Sequence, residues 1–157
     1  MIRKIGHTYQ LQTTTHIPGS LEQVWEFFST PHNLDRLTPP DMPFTIESST
    51  GHRMFPGQII IYKVGVLPKY TTRWVTEITH VQHRKMFVDE QRFGPYILWH
   101  HLHQFREVAD GVEMTDTVHY RLPFGALGML VAANYIRKRL EHIFHYRAQI
   151  IQKIFHS

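Results

Sequence analysis

Residues 8 to 16, TYQLQTTTH, alternate between apolar and polar types and are rich in Thr, the pattern of a half-buried strand. The next stretch, PGSLEQVWEFF, changes period. Leu21, Val24, Trp25 and Phe28 fall at helical spacing, and Ser20 with Gln23 three residues on forms a capping box, so a short amphipathic helix is expected, ending near Pro31. HNLDRLT predicts a second short helix, stopped by Pro39-Pro40. Strand-like segments then recur at 44–49, 58–64, 71–81, 85–91, 96–108 and 112–122. Gly51, Pro56-Gly57, Leu67-Pro68, Gly94-Pro95 and Asp110-Gly111 mark several of the breaks between them. After Pro123 the period returns to that of a helix about thirty residues long. Its apolar face runs through Leu127, Leu130, Val131, Leu140, Ile143, Phe144, Ile150, Ile151 and Ile154; Gly125 and Gly128 loosen its start and Asn134 interrupts the stripe.

This order restricts the architecture. Consecutive strands joined by short turns are antiparallel, because parallel pairs need long crossovers. A single long helix with one apolar stripe has to bury it against a sheet face. An α+β fold is therefore expected: one domain over residues 1–157, with two short helices after the first strand. A curved antiparallel sheet of about seven strands wraps the long C-terminal helix and leaves space between the two.

Composition narrows the chemistry. Cysteine is absent, which removes disulfides, zinc–thiolate sites and Cys nucleophiles together. The opening MIRKIGHTYQ has no apolar run of the secretory kind, and no stretch approaches eighteen uninterrupted apolar residues, so a cytoplasmic protein without membrane insertion is expected. The net charge of +4 comes wholly from the segment after Pro123, where five basic residues face one acid, Glu141. Such a helix can touch nucleic acid or an anionic surface. The plainer expectation is that Arg137, Lys138 and Arg139 form a solvated face and that no nucleic acid is bound.

The densest chemistry lies in GPYILWHHLHQF, residues 94 to 105. Strand alternation places Trp99, His101, His103 and Phe105 on one face and Leu98, His100, Leu102 and Gln104 on the other. If Asp110-Gly111 forms a two-residue type I′ hairpin, Phe105 lies opposite Asp116, His103 opposite Val118, His101 opposite Tyr120 and Trp99 opposite Leu122. Phe87, Asp89 and Gln91 join this surface if the loop through Gly94-Pro95 has odd length, the case expected because Phe87 belongs inside. With Trp74 these residues form a mostly apolar wall carrying a few polar groups, as a ligand pocket requires. The candidate ligand-binding residues are thus Trp74, Phe87, Asp89, Gln91, Trp99, His101, His103, Phe105, Asp116 and Tyr120. Three other uses of the same residues stay open. The histidines and carboxylates can be structural partners of one another. Two imidazoles and a carboxylate can hold zinc or iron, although no metal or cofactor is expected here. A His–Asp pair beside Tyr120 can do general acid–base work of the cyclase or dehydratase kind. Neither a G-x-S-x-G nucleophile motif nor a Gly-rich phosphate loop is present.

The segments VWEFFSTPHNLDRLTPP (24–40), FVDEQRFGPYILWHHLHQF (87–105), DTVHYRLPFG (116–125) and IFHYR (143–147), in this order of elements, resemble the START-related helix-grip superfamily, SRPBCC. The likeness covers nearly the whole chain and is nearest to the group's small bacterial ligand-binding domains. It implies a cavity between sheet and helix used for lipids, polyketides, isoprenoid-like or other apolar molecules. It implies no particular reaction and no catalytic set, since carriers, sensors and cyclases share the fold.

Overall fold

The computed structural model describes residues 1–67, 70–123 and 125–156, with side chains described for all of these except 66–67 and 125–131. Eight strands form one open antiparallel sheet: β1 (Ile2–Ile5), β2 (Thr8–Ile17), β3 (Phe44–Ser49), β4 (Gln58–Leu67), β5 (Tyr70–Gln82), β6 (Met86–Phe93), β7 (Leu98–Val108) and β8 (Gly111–Arg121). Their spatial order is β1-β2-β8-β7-β6-β5-β4-β3, so the first long strand lies beside the last. Helix α1 (Leu21–Phe28), a 3₁₀ segment (Pro31–Leu37) and the long helix α2 (Gly125–Phe155) complete the chain.

The sheet has one strand more than the seven expected. β1 pairs with β2 across a two-residue turn at Gly6-His7. IRKI has too little buried face to betray it: three of its four residues are exposed, Ile2 alone packs, partly buried, on the core around Leu11, and backbone pairing with an Arg3–Gln10 hydrogen bond holds the rest to β2. Its Arg and Lys suit an edge that has to resist pairing with other chains.

Helix α1 forms as the sequence predicts. Ser20 accepts from the Gln23 amide and Gln23 reaches back to the Ser20 backbone, while Val24, Trp25 and Phe28 are buried. The next segment is 3₁₀ rather than α-helical. Here Thr30, Asn33 and Thr38 turn their side chains onto the carbonyls of Glu26, Phe27 and Leu34. Such local bonds compete with α-helical pairing, and Pro39-Pro40 leaves no room to extend it.

Register shifts interrupt the ladders of β3 with β4, β4 with β5 and β5 with β6. Bulges of this kind bend strands. α2 lies against the inner face in two places. Near its end Ile151 joins Ile17, Trp25, Phe28, Phe87 and Phe105, and midway Leu140 joins Leu11, Val118, Tyr120 and Leu122. The side chains of Leu127, Leu130 and Val131, at the start of the expected stripe, and the Pro68 break lie outside the described residues. Asn134 is exposed. Among the described residues, no helix is long and apolar enough to cross a membrane.

Candidate functional site

A cavity of about 570 Å³ lies between the sheet and α2. Aromatic and aliphatic side chains make most of its wall, among them Phe44, Tyr62, Trp74, Tyr96, Trp99, Ile143 and Phe144. Trp74 stands edge-on to Trp99 at 5.1 Å, with Tyr96 tilted against both, so the sheet-side wall is a rigid aromatic cluster. The polar groups gather at one place, where His101 and His103 from β7 meet Asp89 from β6, Asp116 from β8 and Arg147 from α2.

Strand pairing fixes this cluster. Asp89 stands opposite His101, and His103 stands opposite Asp116. The expected β7–β8 register is corrected by one pair of residues: Phe105 faces Met114, His101 faces Val118 and Trp99 faces Tyr120. The chain turns at Ala109-Asp110 instead of Asp110-Gly111, and neither of these residues has the positive φ that a type I′ turn needs. Gly111 instead opens β8 at φ 150, where a Cβ would meet the Ile17 carbonyl oxygen of β2 at 2.4 Å. Because the slip is by an even number, every side chain keeps its face.

The hydrogen bonding is dense. His101 Nε2 lies 2.9 Å from Asp116 Oδ1, and His103 Nε2 lies 2.8 Å from Asp89 Oδ2. His103 Nδ1 is also 2.8 Å from Asp116 Oδ1, but out of line for a good hydrogen bond. The two imidazoles overlap with centres 3.7 Å apart, and Phe87 stacks on the far side of His103 at 4.1 Å. Burial and neighbouring charge split the two histidines. Burial lowers His101, with the charge of His103 adding to it, so it is held neutral. Burial also penalises a charged His103, but bonding to Asp116 and Asp89 outweighs that and raises its pKa. The same contacts, led by Arg147 and His101, hold Asp116 well below the usual carboxylate range despite its burial. Asp89 is lowered too, against burial, by His101 and His103. With Nε2–H donated to Asp116, the neutral His101 keeps a lone pair on Nδ1, which is 3.5 Å from Asp89 Oδ2.

Of the ten residues singled out from the sequence, Trp74, Phe87, Asp89, Trp99, His101 and His103 line the cavity, and four do not. Asp116 sits behind the two imidazoles and orients them. Phe105 is packed away among Trp25, Phe28 and Phe87, in the core that seals this end of the fold. Gln91 spends its amide on the backbone of Tyr96, both donating and accepting, and so shapes the loop that carries Tyr96. Tyr120 is covered by Trp99 and Tyr96 and stacks on Tyr9. It faces Trp99 rather than His101, so the expected placement of Tyr120 beside the His–Asp pair for acid–base work does not form. His100 lies on the opposite sheet face beside His119.

Two arginines depart from expectation. Arg137 is exposed and pairs with Glu141, as a solvated face requires, and Lys138 is exposed. Arg139 instead turns to the cavity mouth, where it donates to the Gly65 carbonyl and the Tyr135 hydroxyl. Arg147 is buried, lines the cavity and lies over the Phe28 and Phe144 rings. In the sequence it stands only as part of the basic surplus after Pro123. Its spacing gives it away: it follows Leu140, Ile143 and Phe144 by seven, four and three residues, which places it on the helix face that points inward.

Asp89, His101 and His103 offer three metal-type ligand atoms within 4.8 Å of one another. The rings fit a shared ion poorly. Imidazoles that aim in-plane lone pairs at one metal about 2.1 Å away keep their centres roughly 4.5–5 Å apart. Here the centres overlap at 3.7 Å, and Arg147 with the more basic His103 already supplies the positive charge that the two carboxylates need.

No protein-family profile matches the chain, and no curated protein matches its sequence. Its fold does match solved structures. The di-domain ARO/CYC BexL from the BE-7585A biosynthetic pathway superposes with a TM-score of 0.72 at 14% identity, over 96% of this chain and 51% of BexL. A protein from Chromobacterium violaceum gives 0.71 at 8% identity, over 94% and 98% of the two chains. The nucleoside-diphosphate sugar epimerase from Corynebacterium glutamicum gives 0.68 at 24% identity, over 91% of this chain and 28% of the epimerase. These likenesses establish the fold, an antiparallel sheet with a C-terminal helix in the helix-grip manner.

Proposed function

We propose that the chain belongs to the START-related helix-grip superfamily and binds a small hydrophobic or amphipathic molecule of lipid, polyketide or isoprenoid type in the cytoplasm. The observation that carries this reading is the composition of the cavity. An aromatic space of about 570 Å³ ends on a buried cluster of imidazoles, carboxylates and a guanidinium. A volume in this range suits a drug-sized ligand, and a few placed polar groups in an apolar wall orient one. Apolar contact with Trp74, Trp99 and Tyr96 supplies affinity, and hydrogen bonds to the cluster supply orientation. Native mass spectrometry of gently purified protein tests the reading. A co-purified small molecule, or saturable quenching of tryptophan fluorescence by a member of an apolar panel, supports it. An empty protein that no member of the panel stabilises or quenches refutes it.

One observation favours a second reading, an enzyme of the cyclase or dehydratase kind. Neutral His101 presents an unprotonated Nδ1 beside the more basic His103, so a proton acceptor and a proton donor sit with ring centres 3.7 Å apart at the cavity wall. The similar fold of a protein described as ARO/CYC is in line with that use. Turnover of a bound carbonyl compound, lost in His101→Ala while binding persists, is the result that distinguishes a catalyst from a carrier.

A further inference from the structure

We infer that Arg147 receives a carboxylate at the head of the ligand, so that the molecules bound are amphipathic acids; this rests on the cavity-binding function proposed above. Arg147 is only 7% exposed, and its Nε is enclosed with no hydrogen-bond partner. Among the described residues none forms an ion pair or a hydrogen bond with the guanidinium. Buried N–H donors left without an acceptor are costly unless something else completes them. The sheet carboxylates balance the charge of Arg147 through space but take none of its N–H donors: Asp89 is bonded to His103, and Asp116 to His101. What lies in front of the guanidinium is the cavity itself.

The surroundings suit an acid. The Phe28 and Phe144 rings lie 5.6 and 5.8 Å from the guanidinium carbon and accept none of its N–H donors in hydrogen bonds, and Arg147 is itself part of the cavity wall. A guanidinium fork matches the two oxygens of a carboxylate in one plane, and desolvation strengthens that pairing. Arg139 at the mouth already spends donors on Gly65 and Tyr135. The apolar body of the acid then lies along Trp74 and Trp99.

Matched acid–alcohol pairs test this without knowledge of the natural ligand: naphthaleneacetic acid against naphthaleneethanol, and dodecanoate against dodecanol. Calorimetry or tryptophan fluorescence reads the affinities. In the wild type the acid of at least one pair should bind about tenfold or more tightly than its alcohol. Arg147→Met should abolish that preference while alcohol binding remains, Arg147→Lys should keep part of it, and Lys138→Gln, on the exposed side of the same helix, should keep all of it. Equal affinities within both pairs, or a preference for acid that survives Arg147→Met, overturns the assignment while leaving cavity binding intact. Failure of both acids and both alcohols to bind the wild type overturns cavity binding and this inference with it. Should Arg147→Met not fold, Arg147→Lys, which keeps the charge but loses the planar fork, supplies the comparison: a preference undiminished there overturns the assignment.

Discussion

Asp116→Asn is the most informative single change in the cluster, because Asn keeps the shape and removes the charge. Asp116 is 3% exposed and accepts from His101 at 2.9 Å, with His103 at 2.8 Å and Arg147 nearby. A hydrogen bond to a buried charged group contributes about 1.5–3 kcal/mol. Leaving the His103 and Arg147 charges less compensated adds to the loss, so about 2–3 kcal/mol is expected. For a domain of this size each kcal/mol moves Tm by roughly 2–4 °C, which gives a fall of about 5–10 °C at neutral pH. The pH profile carries a second signature. Asp116 titrates well below the ordinary value of 3.8 in the folded protein. Its contribution is therefore present above that ordinary value and is lost as pH falls through the lower, folded one. The gap between wild type and variant should be widest between about pH 5 and 7 and close as the solution is acidified below about 4. Scanning calorimetry across pH measures both, and histidine NMR should show His103 titrating at lower pH in the variant. A Tm within about 2 °C of wild type, or a gap that stays constant down to pH 3, would refute the coupling described here.

Three further outcomes follow from the same geometry. Gly111→Ala should destabilise by about 1–3 kcal/mol in chemical denaturation, since its Cβ would meet the Ile17 carbonyl oxygen at 2.4 Å at a φ that L residues avoid; a loss under 0.5 kcal/mol contradicts the close approach of β8 to β2. His101→Ala or His103→Ala should weaken an apolar ligand by about tenfold, one buried hydrogen bond, and His100→Ala should not; equal loss in all three is the contrary result. Elemental analysis of protein purified without an affinity tag should find no stoichiometric zinc or iron, and near-stoichiometric metal lost in His101→Ala would reverse the reading of the cluster.

The period of the sequence revealed α1, the long helix and seven of the eight strands, because each buries a face whose repeat is written in its residues. β1 was invisible for the converse reason: three of its four residues are exposed, and pairing with β2 rather than a buried face defines it. The inward facing of His101 and His103 followed from alternation, which is insensitive to an even slip in register. The partner of each histidine did not follow, because the exact turn position depends on the contact of Gly111 with β2, a strand roughly a hundred residues away in sequence. Asp116 and Tyr120 exchanged neighbours for that reason. Arg147 was legible in the helix repeat, but its charge disguised a position that only the cavity explains.

The pairing of β2 with β8 joins residues such as Thr13 and Asp116. Contacts so distant along the chain are slow to form, because the intervening loop must close first. On the ribosome, β2 and α1 emerge early and wait, with Val24, Trp25 and Phe28 uncovered, until β7, β8 and α2 have all been made. The polar cluster assembles at that same last step, because β7, β8 and α2 carry four of its five residues. Completion of the sheet and of the site are thus a single late event, and a nascent chain halted before β8 should be a client for chaperones.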